Sequence, residues 1–379
     1  MRGIKNKIET NYNKETIITI TDFCVKLFQH TISKNKNVVI SPLSLLAALT
    51  MTANGAKGET LAQIEQAFQL PISKLTKYLH TYQKTLPIEE KYKLSMANVV
   101  WFKDDKDFNI NQDFLHKTTD YFGASFYQAP FDSSTLGDIN KWVEKHTQGM
   151  ISNILNKILP DAVMYLINAV AFEAEWNEIY KKNQVYHNKF TKEDGTVQDV
   201  ELMYSTEFHY LKEEHAEGFL KYYAKRKYAF AALLPNDSIT VCEYIASLTG
   251  EKLYKILTNP MKMTEIKAAI PKYKTEYSIE MSEVLQKMGI KDAFDMTRAD
   301  FSGIDSHKKG NLFMNRVIHK TLITVNTKGT KAGTSTVVEG CLRGAIPSKT
   351  IYLNRPFVYF IFDCEKKLPI FFGTVMEIE

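Results

Sequence analysis

The chain has 379 residues, 44% of them hydrophobic and 24% charged, with a formal net charge of +5. That composition supplies ample core for a soluble globule, and because charges of both signs are interspersed it excludes a basic nucleic-acid-binding arm. Cys24, Cys242, Cys341 and Cys364 are widely scattered, which argues against a zinc site or a disulfide framework, so free thiols and no metal or cofactor are expected.

The N-terminal Met1-Arg2-Gly3-Ile4-Lys5-Asn6-Lys7 is basic, but no apolar run of signal-peptide length follows and none long enough to span a bilayer occurs anywhere. The expectation is a protein without a leader or membrane span, cytoplasmic, or extracellular if processed or exported by another route. No repeat or Pro/Gly/Ser-rich linker divides the sequence, so residues 1–379 are read as one domain.

The first clear helix begins at Ser41-Pro42, a capping hydroxyl followed by proline at the first helical position, and stops at Asn54-Gly55. A second runs from near Glu59 to Phe68. Ile139, Trp142, Val143 and His146 recur at helical spacing, which predicts an amphipathic surface helix over Ile139 to Ile158, with Gly149 as a point of interruption. Segments rich in β-branched and aromatic residues predict strands at Ala97 to Phe102, Met164 to Phe172, Tyr228 to Leu234, Val317 to Val325, Phe357 to Phe362 and Ile370 to Val375. Helices crowd the first half and strands the second, which favours an α+β fold over alternating βα units.

The stretch from Arg316 to Pro356 is the least ordinary. After the strand ending at Val325 comes Asn326-Thr327-Lys328-Gly329-Thr330-Lys331-Ala332-Gly333-Thr334-Ser335-Thr336-Val337-Val338. Its composition fits an exposed linker. It also fits a segment able to become a strand, since Gly329 allows a turn and Ala332, Gly333, Thr334 and Ser335 are small enough to enter between paired strands.

These residues resemble the serpin family over nearly the whole chain. Val38-Val39-Ile40-Ser41-Pro42-Leu43-Ser44 with Asn54-Gly55-Ala56-Lys57-Gly58-Glu59-Thr60 is similar to its second helix and following loop. Ile139-Asn140-x-Trp142-Val143, Asn168-Ala169-Val170-Ala171-Phe172 leading to Trp176, Asp300-Phe301-Ser302-Gly303-Ile304, Val317-Ile318-His319-Lys320, Asn354-Arg355-Pro356-Phe357 and Phe372-Gly373-Thr374-Val375 follow in family order. The resemblance implies three β-sheets with eight or nine helices and an exposed reactive loop at about 327–350. It implies a hinge at Gly329, Thr330, Ala332, Gly333, Thr334 and Ser335, and a bait bond at Arg343-Gly344, with Leu342-Arg343 the next choice.

The implied activity is suicide inhibition of trypsin-like serine proteases by a monomer, through a covalent complex and insertion of the cleaved loop into the main sheet; no enzymatic activity is expected. From Gly329 to Arg343 the chain spans about 50 Å when extended at about 3.3 Å per residue. The resemblance also assigns Ser41, Ser44, Asn168 and His319 to a buried polar cluster where the sheet opens, and Trp176, Lys272 and Thr327 to the sheet top. A catalytic reading of His319 with a serine lacks an acid and a nucleophile elbow. The rival is a serpin fold kept for a chaperone, carrier or storage role; the small, proline-free hinge favours inhibition.

Two departures stand out. Thr327 and Lys331 replace common glutamates, so the salt bridge from Lys272 to the hinge is expected to be missing. The loop is also about two residues longer beyond Arg343. Cys341, beside the bait bond, is either redox-sensitive or inert. Lys74, Lys77 and Lys84 could face a polyanion, although a solvated helix face accounts for them better. His209 and His215 are poorly spaced for a metal, and Asn236-Asp237-Ser238 is a glycosylation sequon only in a secretory setting.

Overall fold

A computed structural model of the chain describes residues 13–86, 88–89, 91–105, 110–305, 312–330 and 349–379. Helix α1 (Lys14–Thr31) leads to β1 (Val38–Ile40), α2 (Pro42–Ala53), α3 (Gly58–Phe68), α4 (Ile72–Lys84), β2 (Ile88–Glu89), β3 (Tyr92–Lys103), α5 (Gln112–Phe122), β4 (Ser125–Ala129) and α6 (Ser133–His146). Then come β5 (Met164–Glu175), β6 (Val185–Thr191), β7 (Val197–Lys212), β8 (Ala216–Tyr222), β9 (Tyr228–Pro235), α7 (Val241–Ala246), α8 (Gly250–Thr258), β10 (Met261–Pro271) and β11 (Tyr273–Glu280). After α9 (Ser282–Lys287), β12 (Arg316–Val325), β13 (Gly329–Thr330), β14 (Lys349–Tyr352), β15 (Phe357–Asp363) and β16 (Leu368–Val375) complete the described chain.

The main sheet has seven strands in the order β11-β12-β5-β3-β2, with β4 on β3 and β13 on β5. The other nine strands form one hydrogen-bonded network that is two sheets sharing β7. The end of β7 from Tyr210 joins β8 and, through it, β9, β15, β16 and β1, while the rest pairs with β6 and β10, and β10 with β14. Three sheets and, among the described residues, nine α-helices make the expected α+β fold. No described helix is long and apolar enough to cross a membrane.

Each strand read from the sequence is present, extended by a few residues at one or both ends. Helix α2 has the expected limits, and every one of its residues is buried, so it runs under the main sheet as a core element rather than along a surface. The surface helix departs from its expected span. Asp132 caps it by accepting from the Ser134 and Thr135 amides, and it ends at His146 instead of continuing to Ile158. The reversal uses positive φ at Gln148 (56°) and Gly149 (77°). The returning chain is held by Thr147, whose hydroxyl accepts from the Ile151 amide, and by the Asn140 side chain, which donates to the Leu155 carbonyl and accepts from the Ile154 and Leu155 amides. Ile139, Trp142 and Val143 of α6 pack with Ile151, Ile154 and Leu155 onto Val99, Tyr165, Ile167, Ala169 and Ile318. One face of the main sheet is thus roofed by α6, and the other faces the large core.

Candidate functional site

In the main sheet β12 and β5 run parallel, paired from Arg316↔Tyr165 to Leu322↔Ala171. Above that point the two strands part. The chain leaves β12 through a turn closed by the Asn326 and Gly329 amides and carbonyls, and Gly329 and Thr330 come back antiparallel against Glu175 and Ala174. The first two residues of the expected hinge therefore already occupy the mouth of a slot between β5 and β12.

Gly329 is required there by conformation and space. Its φ is +143°, and a Cβ would lie 2.1 Å from the Ala174 carbonyl oxygen. Thr330 is 1% exposed, and its hydroxyl is 3.0 Å from that of Tyr223. The turn is held from one side by a single segment. The Trp176 indole N–H donates to the Asn326 carbonyl (2.9 Å), its amide to the Lys328 carbonyl (2.9 Å), and the Tyr180 amide to the Thr327 carbonyl (2.8 Å). Trp176 stacks on Tyr223 with ring centroids 4.4 Å apart. Thr327 thus holds its place through its main chain. Lys272 pairs instead with Glu201 at 3.0 Å.

Lower in the sheet a polar row crosses three strands. Register places Asn98 opposite Asn168 and Asn168 opposite His319. Asn168 Nδ2 donates to Asn98 Oδ1 and to Ser44 Oγ, both at 2.7 Å, which leaves its Oδ1 to accept from His319 Nδ1 at 2.7 Å. His319 Nε2 then accepts from the Ser41 amide (3.0 Å) and the Thr321 hydroxyl (2.9 Å). This pattern demands the neutral imidazole with its proton on Nδ1, and burial pushes the group from 6.5 down to about 3. The structure brings Ser41, Ser44, Asn168 and His319 together, with Ser41 contributing its amide and not its hydroxyl, which has no partner among the described residues.

Sequence reasoning missed Asn98 and Thr321. Thr321 lies two residues from His319 on the same face of β12, so the two-residue strand period was the signal that could have found it; Asn98 lies on the neighbouring strand, where no local signal marks it.

Ala332, Gly333, Thr334, Ser335, Leu342, Arg343 and Gly344, like Lys331 and Cys341, lie outside the described residues. Lys74, Lys77 and Lys84 are exposed on α4. His209 and His215 belong to no group able to hold a metal ion among the described residues. Cys24, Cys242 and Cys364 are free thiols, and burial raises Cys24 and Cys364 out of the reactive range.

Residues 19–378 match the sequence profile of the family described as Serpin (serine protease inhibitor). The chain is similar to Serpin B10 of Homo sapiens, 29% identical over 377 residues that cover 90% of this chain and 94% of that protein. Among solved structures, the thermophilic serpin tengpin in its native state superposes with a TM-score of 0.91 at 48% identity, covering 97% of this chain and 95% of that one. The same protein in its latent state gives 0.86 at 46% identity, with 98% and 100% covered. A profile match over nearly the whole length, on a fold whose main sheet parts between β5 and β12 with Gly329 and Thr330 seated in the gap, means that this chain belongs to the serpin family.

Proposed function

We propose that the protein inhibits trypsin-like serine proteases as a single-use substrate cleaved at Arg343-Gly344. The observation that carries this reading is the seating of Gly329 and Thr330 against β5, in line with a parallel pair of strands. A loop that has turned back from β12 runs antiparallel to both β12 and β5. Its insertion replaces one parallel pairing by two antiparallel ones, which are the more stable per residue.

Continued in the register of Gly329↔Glu175 and Thr330↔Ala174, the loop would set Ala332 opposite Phe172 and Thr334 opposite Val170, facing the core like Thr330. Lys331 would fall opposite Glu173 on the other face, where its charge is matched and in reach of water. From Ser335, opposite Ala169, the loop would meet the roof formed by α6, which must lift.

In the proposed reaction the protease serine Oγ attacks the Arg343 carbonyl carbon, the Arg343-Gly344 amide bond breaks, and Gly344 departs as an amine after gaining a proton. The resulting ester tethers Arg343 to the protease while the freed segment enters the slot and distorts the bound enzyme before water can cleave the ester. The Arg343 guanidinium suits a specificity pocket with a buried carboxylate, which it can engage through two parallel hydrogen bonds.

Incubation with trypsin at near-equal molarity tests this. A complex that survives denaturation, with a released peptide beginning at Gly344, is the expected result. Clean cleavage that leaves trypsin-, elastase- and chymotrypsin-like enzymes all active would overturn it in favour of a non-inhibitory role.

A further inference from the structure

One buried ion pair plays no part in the slot or the polar row. Lys221 of β8 is 3% exposed and Glu207 of β7 9% exposed. Their charged atoms are 2.9 Å apart, and the same Glu207 oxygen accepts from the Ser205 hydroxyl at 2.8 Å. Pairs of this kind contribute little net stability, because desolvating both charges offsets their attraction, and apolar residues of like size often serve as well. The position of the pair therefore calls for an explanation other than stability.

The ammonium lies 4.4 Å from the centroid of the Tyr180 ring and 5.4 Å from that of Trp176. These are the two residues that make all three hydrogen bonds to the hinge turn, at Asn326, Thr327 and Lys328. A cation held dry against both rings fixes them relative to each other. Tyr223, two residues beyond Lys221, stacks on Trp176 and reaches Thr330. A single buried charge thus sits against both residues that hold the turn, and Tyr223 joins them through its stack on Trp176.

We infer that Lys221, anchored by Glu207, is a positioning residue that holds the aromatic seat of the hinge, so that loop insertion begins in register from Gly329 and Thr330. The inference rests on the insertion reading above. It gives Lys221 the opposite sign from a brake: with the seat intact insertion is fast, and without it the freed loop must first find its register.

The test uses the full chain as the Lys221→Met/Glu207→Gln double variant, which removes both charges and keeps their bulk, and as Lys221→Arg, which keeps the cation. Hydrogen exchange of residues 326–330 is measured in the uncut protein. Insertion is measured after nicking the loop with a metalloprotease, which forms no acyl-enzyme, by following the rise in the urea midpoint with time. In the double variant, exchange at 326–330 is expected to be about tenfold faster and insertion about tenfold slower, the scale of a lost desolvated cation–π contact. Exchange in β15 and β16 should stay unchanged, and Lys221→Arg should restore most of both effects.

Unchanged exchange and insertion rates would overturn the inference. So would faster insertion, or a loss of protection spread evenly into β15 and β16, which would mark the pair as merely structural. If nicked wild type inserts but traps no serine protease, the inhibitory reading fails and the seat stands. If wild type traps protease while the double variant inserts at the wild-type rate, the seat fails alone. A nicked wild type that never inserts overturns both.

Discussion

Lowering the pH from 7 to 5 should weaken the fold through a contribution from His319 that can be isolated. The ring is wholly buried, its Nδ1 proton is committed to Asn168, and its Nε2 lone pair is committed to the Ser41 amide, a donor that cannot turn away. Burial keeps a second proton off the folded ring down to about pH 3, while the unfolded chain takes it up near 6.5; that proton would also meet the fixed Ser41 N–H. Because the folded value is the lower one, this group's contribution is whole above about pH 6.5 and is lost as pH falls toward about 3. At about 1.36 kcal/mol per unit, the loss between pH 7 and pH 5 is about 2 kcal/mol. The assay is the urea midpoint from pH 7.5 to 4.5 for wild type and for His319→Gln, which cannot titrate. Other groups contribute to both curves, so the difference between them isolates His319. Parallel curves, or a His319 imidazole resonance, assigned by its loss in His319→Gln, that titrates near 6.5 in the folded protein, would refute the reasoning.

Three further perturbations probe the slot. Gly329→Ala places a methyl on the Ala174 carbonyl at a φ that L-residues avoid, so β13 should unseat, at a strain equivalent of about 1–3 kcal/mol, and show faster hydrogen exchange; unaltered exchange would contradict the tight contact. Trp176→Phe removes the indole bond to Asn326 and should lower stability by about 1–2 kcal/mol by chemical denaturation, with the hinge turn losing protection first. Glu173→Lys should slow insertion of the nicked loop several-fold by setting like charges opposite each other across the strands; an unchanged rate would mean that the loop does not follow the register of Gly329 and Thr330.

The strands at 164–175, 228–235, 316–325 and 357–363 were legible because β-branched and aromatic runs need only local sequence to declare themselves. Helix α2 was legible at both ends from Ser41-Pro42 and Asn54-Gly55. The far end of the surface helix was not, because continuing past His146 and reversing at Gln148 and Gly149 are both sterically open. What decides between them is the Asn140 side chain binding Ile154 and Leu155, a contact that exists only after the chain has folded back. Asn98 escaped notice for a similar reason, since nothing local marks an asparagine that meets another 70 residues away.

By itself, the sequence determined the α+β class, the order of the main elements and, through short motifs in a fixed succession, the family. It also marked the run of small residues from Gly329 to Ser335, since side-chain size and backbone freedom are properties of the residues themselves. Only the tertiary structure decided that Gly329 and Thr330 rest against β5 where it parts from β12, that Lys272 turns to Glu201, and that Lys221 pairs with Glu207 against the Trp176 and Tyr180 rings. Each of these depends on strands far apart in the chain arriving in one register, and on burial that gives a charge or a hydrogen bond its strength.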